Sequence, residues 1–139
     1  MKLVEQGLLH LDDLVEKYLP EYANTFLLDE NGNKVPTKNK MTILHLFTMS
    51  GGLTYDMFTE PLEEIKRNDG DTIAFCQGFV KTPLSFEPGT RFQYSLCHDA
   101  LAGVVEVITG KRFSEYMKEC IFDPLGMNDS GFHNLDEEK

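Results

Sequence analysis

Apolar residues recur at helical spacing in several short stretches, separated by glycine, proline and acidic residues. The clearest stretch surrounds ALAGVVEVITG, where Cys97, Ala100, Leu101, Val104, Val105 and Ile108 fall at i, i+3, i+4, i+7, i+8 and i+11 and give a helix one apolar face. Gly110 ends it. Its three valines and isoleucine lower intrinsic helix propensity, so burial of that face must hold the helix. Thr42 is placed to cap a helix with Ile43, Leu44, Leu46 and Phe47 as its apolar positions, and Ser50-Gly51-Gly52 turns its end into a flexible polar loop. Pro61 fits the first position of a further helix, Glu63 and Glu64 complement its dipole, and Asp69-Gly70 stops it. Asp71 is set to cap the next, with Ile73, Cys76 and Val80 inward, and Ser114 to cap one running through Cys120 to Asp123-Pro124.

At the front, Leu3 and Val4 followed by Gly7 read as the last turns of a helix and its C-terminal glycine, with no capping residue ahead of them. Asp12 or Asp13 is expected to cap a short helix that Pro20 ends near Tyr18-Leu19. The one strong β signal is Asn31-Gly32 between two short runs in FLLDENGNKVP, which predicts a tight hairpin. The C-terminal HNLDEEK is polar and expected to fray. The reading is mainly α with a small β-hairpin, about six short helices in a single unit over 1–139, with no repeat or linker.

Composition sharpens this picture. A chain of 139 residues is about one ordinary domain and buries roughly two-thirds of its unfolded surface. Thirteen basic against 23 acidic residues give a net charge of −10, which repels nucleic acid phosphate and anionic membrane surfaces, so neither is expected as a partner. No apolar run approaches the roughly 18 residues of a membrane span, and Glu5 stands where a signal peptide would continue apolar; a soluble, cytoplasmic chain is expected. Cys76, Cys97 and Cys120 are odd in number and widely spaced, which predicts reduced thiols rather than a disulfide framework. His10, His45, His98 and His133 lack the paired spacing that sets two imidazoles on one helix face, so no metal site is predicted.

Cys97-His98-Asp99 names the members of a cysteine hydrolase triad, but consecutive helical residues point about 100° apart and do not converge on one atom. Cys97 is expected to pack inward and Asp99 to favour the helix dipole. None of Ser50, Ser85, Ser95, Ser114 and Ser130 stands in Ser-x-x-Lys or in a Gly-x-Ser-x-Gly elbow, and Ser95 and Ser114 read as helix caps. Tyr94 ends the extended run Arg91-Phe92-Gln93 at a helix N-terminus, where partial positive charge favours an anion. A free phenol titrates near 10, so a tyrosine needs neighbouring cations to act as a base at neutral pH. Spacing alone leaves two readings for Tyr94, an ordinary half-buried aromatic and a general base.

LVEQGLLHLDDLVEKYLPEY at 3–22, MTILHLFTMSGGL at 41–53 and FEPGTRFQYSLCHDALAGVVEVITGKRFSEYMKECIFDPLGMNDSGF at 86–132 occur in this order and cover more than half of the chain. Together they resemble the serine β-lactamase and penicillin-binding-protein-related family, in particular its class C-like and family VIII esterase-like branch. The resemblance implies the helical lobe of an α+β β-lactamase/transpeptidase-like fold. It also implies a Ser-x-x-Lys nucleophile on a helix just before the LVEQG-like segment, upstream of Met1, and a Lys/His-Thr/Ser-Gly strand after the FDPLGM-like segment. The chain is therefore expected to be an internal fragment, inactive alone. By the same resemblance Tyr94-Ser95-Leu96 is the counterpart of a Tyr-x-Asn loop. Tyr94 is then the catalytic base that accepts the serine proton and passes it to the leaving group, near lysines that depress its pKa. Leu96 replaces an asparagine able to hydrogen-bond a substrate amide and is expected to line the substrate with an apolar wall. Met49 stands where the family's loop carries histidine.

The departure at Leu96 favours hydrolysis of carboxylic esters, or a related acyl transfer, over β-lactam hydrolysis. The implied partner is a small-molecule acyl substrate, ester or lactam, with no metal or organic cofactor required. Three other readings stand beside this one: a β-lactamase or D-peptidase proper, a catalytically inactive family member that binds or scaffolds, and a complete small helical interaction domain. The last predicts a closed polar surface, whereas a fragment should expose an apolar face and self-associate through it.

Overall fold

The computed structural model describes residues 1–132. Among them six α-helices and a two-stranded sheet are formed: α1 (Lys2–Glu5), β1 (Phe26–Leu28), β2 (Lys34–Pro36), α2 (Ile43–Phe47), α3 (Glu60–Arg67), α4 (Thr72–Phe79), α5 (Cys97–Thr109) and α6 (Phe113–Met117). Val15–Lys17 and Pro20–Asn24 are 3-10 turns, and a π-helical turn, Lys118–Phe122, continues α6. The architecture is helix-rich, and β1 and β2 pair antiparallel with Leu27 opposite Val35. Asp29 shapes their connection: its carboxylate accepts from the backbone N–H of Asn31 and Asn33, at 2.9 and 2.8 Å. The Asn33 side-chain amide, donating to Asp29 Oδ2 at 3.0 Å, lowers the Asp29 pKa most, and those backbone bonds add to the effect.

The core is built around α5, which packs against α2, α4 and α6. Cys97, Ala100 and Val104 are fully buried on its inner face, together with Val15, Leu19, Ile43, Leu46 and Leu62 from the other elements. The crossing of α4 and α5 depends on a missing side chain. A Cβ at Gly103 would stand 2.5 Å from Cys76 Sγ, so only glycine admits helices this close. Tyr22 locks the same crossing from below, its buried hydroxyl donating to the Cys76 carbonyl at 3.1 Å.

Several local expectations hold. Thr42 caps α2, its Oγ1 accepting from the His45 N–H while His45 Nδ1 accepts from the Thr42 N–H, both at 3.3 Å. Asp71 caps α4 through the Ala74 N–H at 2.9 Å, Pro61 lies in the first turn of α3, and Gly110 closes α5 in the left-handed conformation. Three caps are corrected. Asp13 does not cap Val15–Lys17 but accepts from the His10 N–H, Lys17 Nζ and Tyr18 Oη, at 2.9, 2.9 and 2.6 Å. Ser114 lies inside α6, whose N-cap is Arg112; the Arg112 N–H is satisfied by Glu115. Ser95 is displaced from the mouth of α5 by Leu96. The expected fraying of HNLDEEK, and His133 with it, lies outside the described residues.

Candidate active site

Two loops meet in front of α5. One follows α2 and contains Met49–Thr54; the other runs from Ser85 to Leu96. Four backbone hydrogen bonds join them: Ser85 N–H to Gly52 O at 2.8 Å, Gly89 N–H to Ser50 O at 2.8 Å, Gln93 N–H to Met49 O at 3.0 Å, and Leu96 N–H to Thr54 O at 3.3 Å. The approach is so close that a Cβ at Gly52, where φ is +83°, would meet the Phe86 carbonyl oxygen at 2.4 Å. Met49 also takes a left-handed conformation, φ 53°, unusual for a residue with a side chain, and its buried thioether helps hold it there.

This clasp determines where the Tyr94-Ser95-Leu96 side chains go. Ser95 turns inward and is buried, its Oγ donating to Cys97 Sγ at 3.1 Å and reaching Met49 Sδ at 3.8 Å. Leu96 also turns inward, is 3% exposed and belongs to the core cluster. The expected apolar wall is therefore not what its side chain forms. An aliphatic side chain at the N-cap of α5 gains more by joining the core than by facing solvent. Tyr94, between the anchored Gln93 and the buried Ser95, turns outward and is 63% exposed. Its ring packs on Tyr55, with centroids 5.1 Å apart and planes tilted by 54°. Among the described residues its hydroxyl makes no hydrogen bond, so the oxygen is free to meet an incoming group. Arg91 is engaged elsewhere, donating to the Ser85 carbonyl at 3.1 Å and lying over the Phe86 ring.

The neighbouring candidates diverge. Cys97 is fully buried, while His98 and Asp99 are exposed, and His98 Nε2 stands 3.3 Å from the Phe47 carbonyl. Burial raises the Cys97 pKa and keeps it a thiol; the same effect pushes Cys76 up to about 12. All three cysteines are free thiols. Among the described residues no three His, Cys, Asp or Glu side chains are grouped to hold a metal ion. No helix among them is long and apolar enough to cross a membrane. Tyr55 is the partner that sequence reasoning missed. Its signal was an aromatic residue just after the glycine-rich Ser50–Leu53 stretch, a segment read only as a loop.

The surface is not uniformly polar. Between α1, α5 and α6 lies an apolar groove of about 500 Å³ lined by Phe47, Leu101, Val105, Phe113, Tyr116 and Ile121.

This helix-rich arrangement, with a glycine loop clasped against a tyrosine-bearing loop at the head of α5, superposes on solved structures of the β-lactamase/transpeptidase-like fold. The chain belongs to the Beta-lactamase family, whose model matches residues 1–139. It is 31% identical to the lovastatin esterase of Penicillium rubens, over 99% of this chain and 37% of that protein. It is also 31% identical to a putative D-alanyl-D-alanine carboxypeptidase of Escherichia coli K12, over 96% of this chain and 30% of that one. Among solved structures, EstCE1, a hydrolase with promiscuous acyltransferase activity, superposes with a TM-score of 0.74 at 27% identity, covering 98% of this chain and 36% of that chain. The chain thus spans about a third of the length of the curated relatives it matches.

Proposed function

We propose that this chain is the helical portion of a serine hydrolase that cleaves carboxylic esters through an acyl-serine, with Tyr94 as general base. The observation that carries the reading is the presentation of Tyr94. Its ring stands exposed at the head of the 13-residue α5, fixed by backbone bonds on both sides and by Tyr55, with its oxygen uncommitted. In the proposed step the phenolate takes the serine proton as the serine oxygen attacks the ester carbonyl. The proton then passes to the departing alkoxide, and a water repeats the cycle to release the acid. In this reading the nucleophile is supplied from outside this chain, and the chain alone is expected to be inactive. Leucine at position 96 supports esters over lactams, because it offers no side-chain amide to hold a lactam's acylamino group. The ester-cleaving relative and the structural neighbour named above are consistent with that choice.

The test is Tyr94→Phe in the longer protein that contains this chain. Turnover of an activated ester should fall by about 10²- to 10⁴-fold with the circular dichroism spectrum unchanged. Undiminished turnover would remove Tyr94 from the mechanism. For the chain alone, mass spectrometry after incubation with an activated ester or a penicillin should find no stoichiometric acyl-serine. The groove beside α1 also supports self-association of the isolated chain. Sedimentation velocity should show dimer growing with concentration, and a sedimentation coefficient independent of concentration would count against it.

A further inference from the structure

The loop clasp leaves an unusual surface beside Tyr94. Phe92 is 71% exposed and Tyr55 57% exposed. In the run before α5, Gln93 turns to Ser85 Oγ at 3.3 Å and Ser95 enters the core, while Phe92 and Tyr94 are both exposed. Tyr55 and Tyr94 brace each other at a tilt, which fixes both rings and leaves aromatic surface in water. Arg91, the cation nearest in the chain, is withdrawn to Ser85 and Phe86. Exposed aromatic surface on fixed backbone at a site's entrance is what a binding face requires, since little entropy is lost when a ligand docks.

We infer that Tyr55, Phe92 and the ring of Tyr94 form an aryl subsite that selects neutral esters carrying a planar aromatic group in the acid or alcohol part. The inference rests on the reading of Tyr94 as base, because it places the aryl group beside the bond that base helps to break. Flat rings on flat rings gain about two- to tenfold in affinity beyond burial of area, which a saturated ring of equal size does not gain. The net charge of −10 favours a neutral ester over an aryl carboxylate.

The experiment is a titration of the 139-residue chain, with its tyrosine and phenylalanine rings isotopically labelled, against 2-naphthyl acetate and cyclohexyl acetate, followed by NMR. Naphthyl acetate should shift Tyr55, Phe92 and Tyr94 saturably and bind more tightly than the cyclohexyl ester. Tyr55→Ala and Phe92→Ala should each weaken it about two- to tenfold, the equivalent of one aromatic contact. Tyr94→Phe should bind as the parent does, because stacking needs the ring and not the hydroxyl. If either alanine variant loses its fold, Tyr55→Leu and Phe92→Leu keep the bulk and remove the flat face. Equal affinity for the two esters, or shifts confined to Phe113 and Tyr116 of the groove beside α1, would overturn the subsite. The two readings separate cleanly. A naphthyl preference combined with full turnover in the Tyr94→Phe enzyme removes the base and keeps the subsite, while no preference combined with lost turnover does the reverse.

Discussion

Tyr94 is exposed because the residues on either side of it are not free to be. Gln93 is fixed to Met49 and Ser95 is sunk among sulfur atoms, so the ring between them can only turn out. Its position at a helix entrance was legible from spacing; its direction was not, because one residue's shift in the N-cap, from Ser95 to Leu96, decides which of three consecutive side chains enters the core. The clasp predicts two substitution effects. Gly52→Ala places a methyl 2.4 Å from a backbone carbonyl at φ +83°, and neither partner is a flexible side-chain end. A loss of about 2–4 kcal/mol in urea unfolding is expected, from backbone strain and overpacking together. A loss under about 1 kcal/mol would mean that the loops separate easily and do not aim Tyr94. Met49→Gly sets two terms against each other. Relief of a left-handed methionine returns about 1–3 kcal/mol, while removal of its buried side chain costs at least the roughly 2–5 kcal/mol of a methionine-to-alanine change. The net outcome should be a less stable protein.

At the scale of elements, the caps that were legible share one feature: a small polar residue followed directly by a helical apolar pattern, as at Thr42 and Asp71. Asp13 and Ser114 have the right chemistry but not the right surroundings. Asp13 finds a tyrosine and a lysine to bind instead of the turn that follows it, and Arg112 with Glu115 starts α6 two residues before Ser114. Those choices depend on contacts that no local pattern encodes. Thr42→Ala should cost about 0.5–2 kcal/mol by chemical denaturation, because the His45 N–H loses its Oγ1 acceptor while the bond from the residue 42 N–H to His45 Nδ1 stays. Gly103→Ala tests the α4–α5 crossing. The added methyl meets Cys76 Sγ at 2.5 Å, so the helices must part, at a cost of about 1–3 kcal/mol. The double variant with Cys76→Ala should recover part of that loss, since the clash is with the sulfur.

For the whole molecule, stability should form a plateau in pH with limbs set by different groups. On the acid side, burial lowers the His45 pKa below its ordinary 6.5, and its neutral Nδ1 is the acceptor that completes the α2 cap. A base whose folded pKa is depressed contributes fully above 6.5, and its contribution is lost as pH falls through the lower folded value. Asp13 adds a second acid step. Its bonds to Tyr18, the His10 N–H and Lys17 hold it at about 2 against an ordinary 3.8, so its contribution is present above 3.8 and disappears as pH falls towards 2. On the alkaline side burial holds Cys76 protonated, up to about 12 against an ordinary 9.0, and Cys97 shifts the same way. An acid raised in this manner stabilises the fold fully below 9.0 and progressively less above it, because the unfolded thiol ionises first. Urea midpoints measured across pH should therefore be highest between 6.5 and 9.0 and fall on both sides. His45→Gln should flatten the first acid step while leaving the alkaline limb, and Cys76→Ala should make the alkaline limb shallower, leaving the part set by Cys97 and by the buried Tyr22 phenol, which burial also raises, without touching the acid steps. Identical pH profiles for the two variants would mean that neither buried group is linked to folding and that the surface ion pairs set the limbs instead.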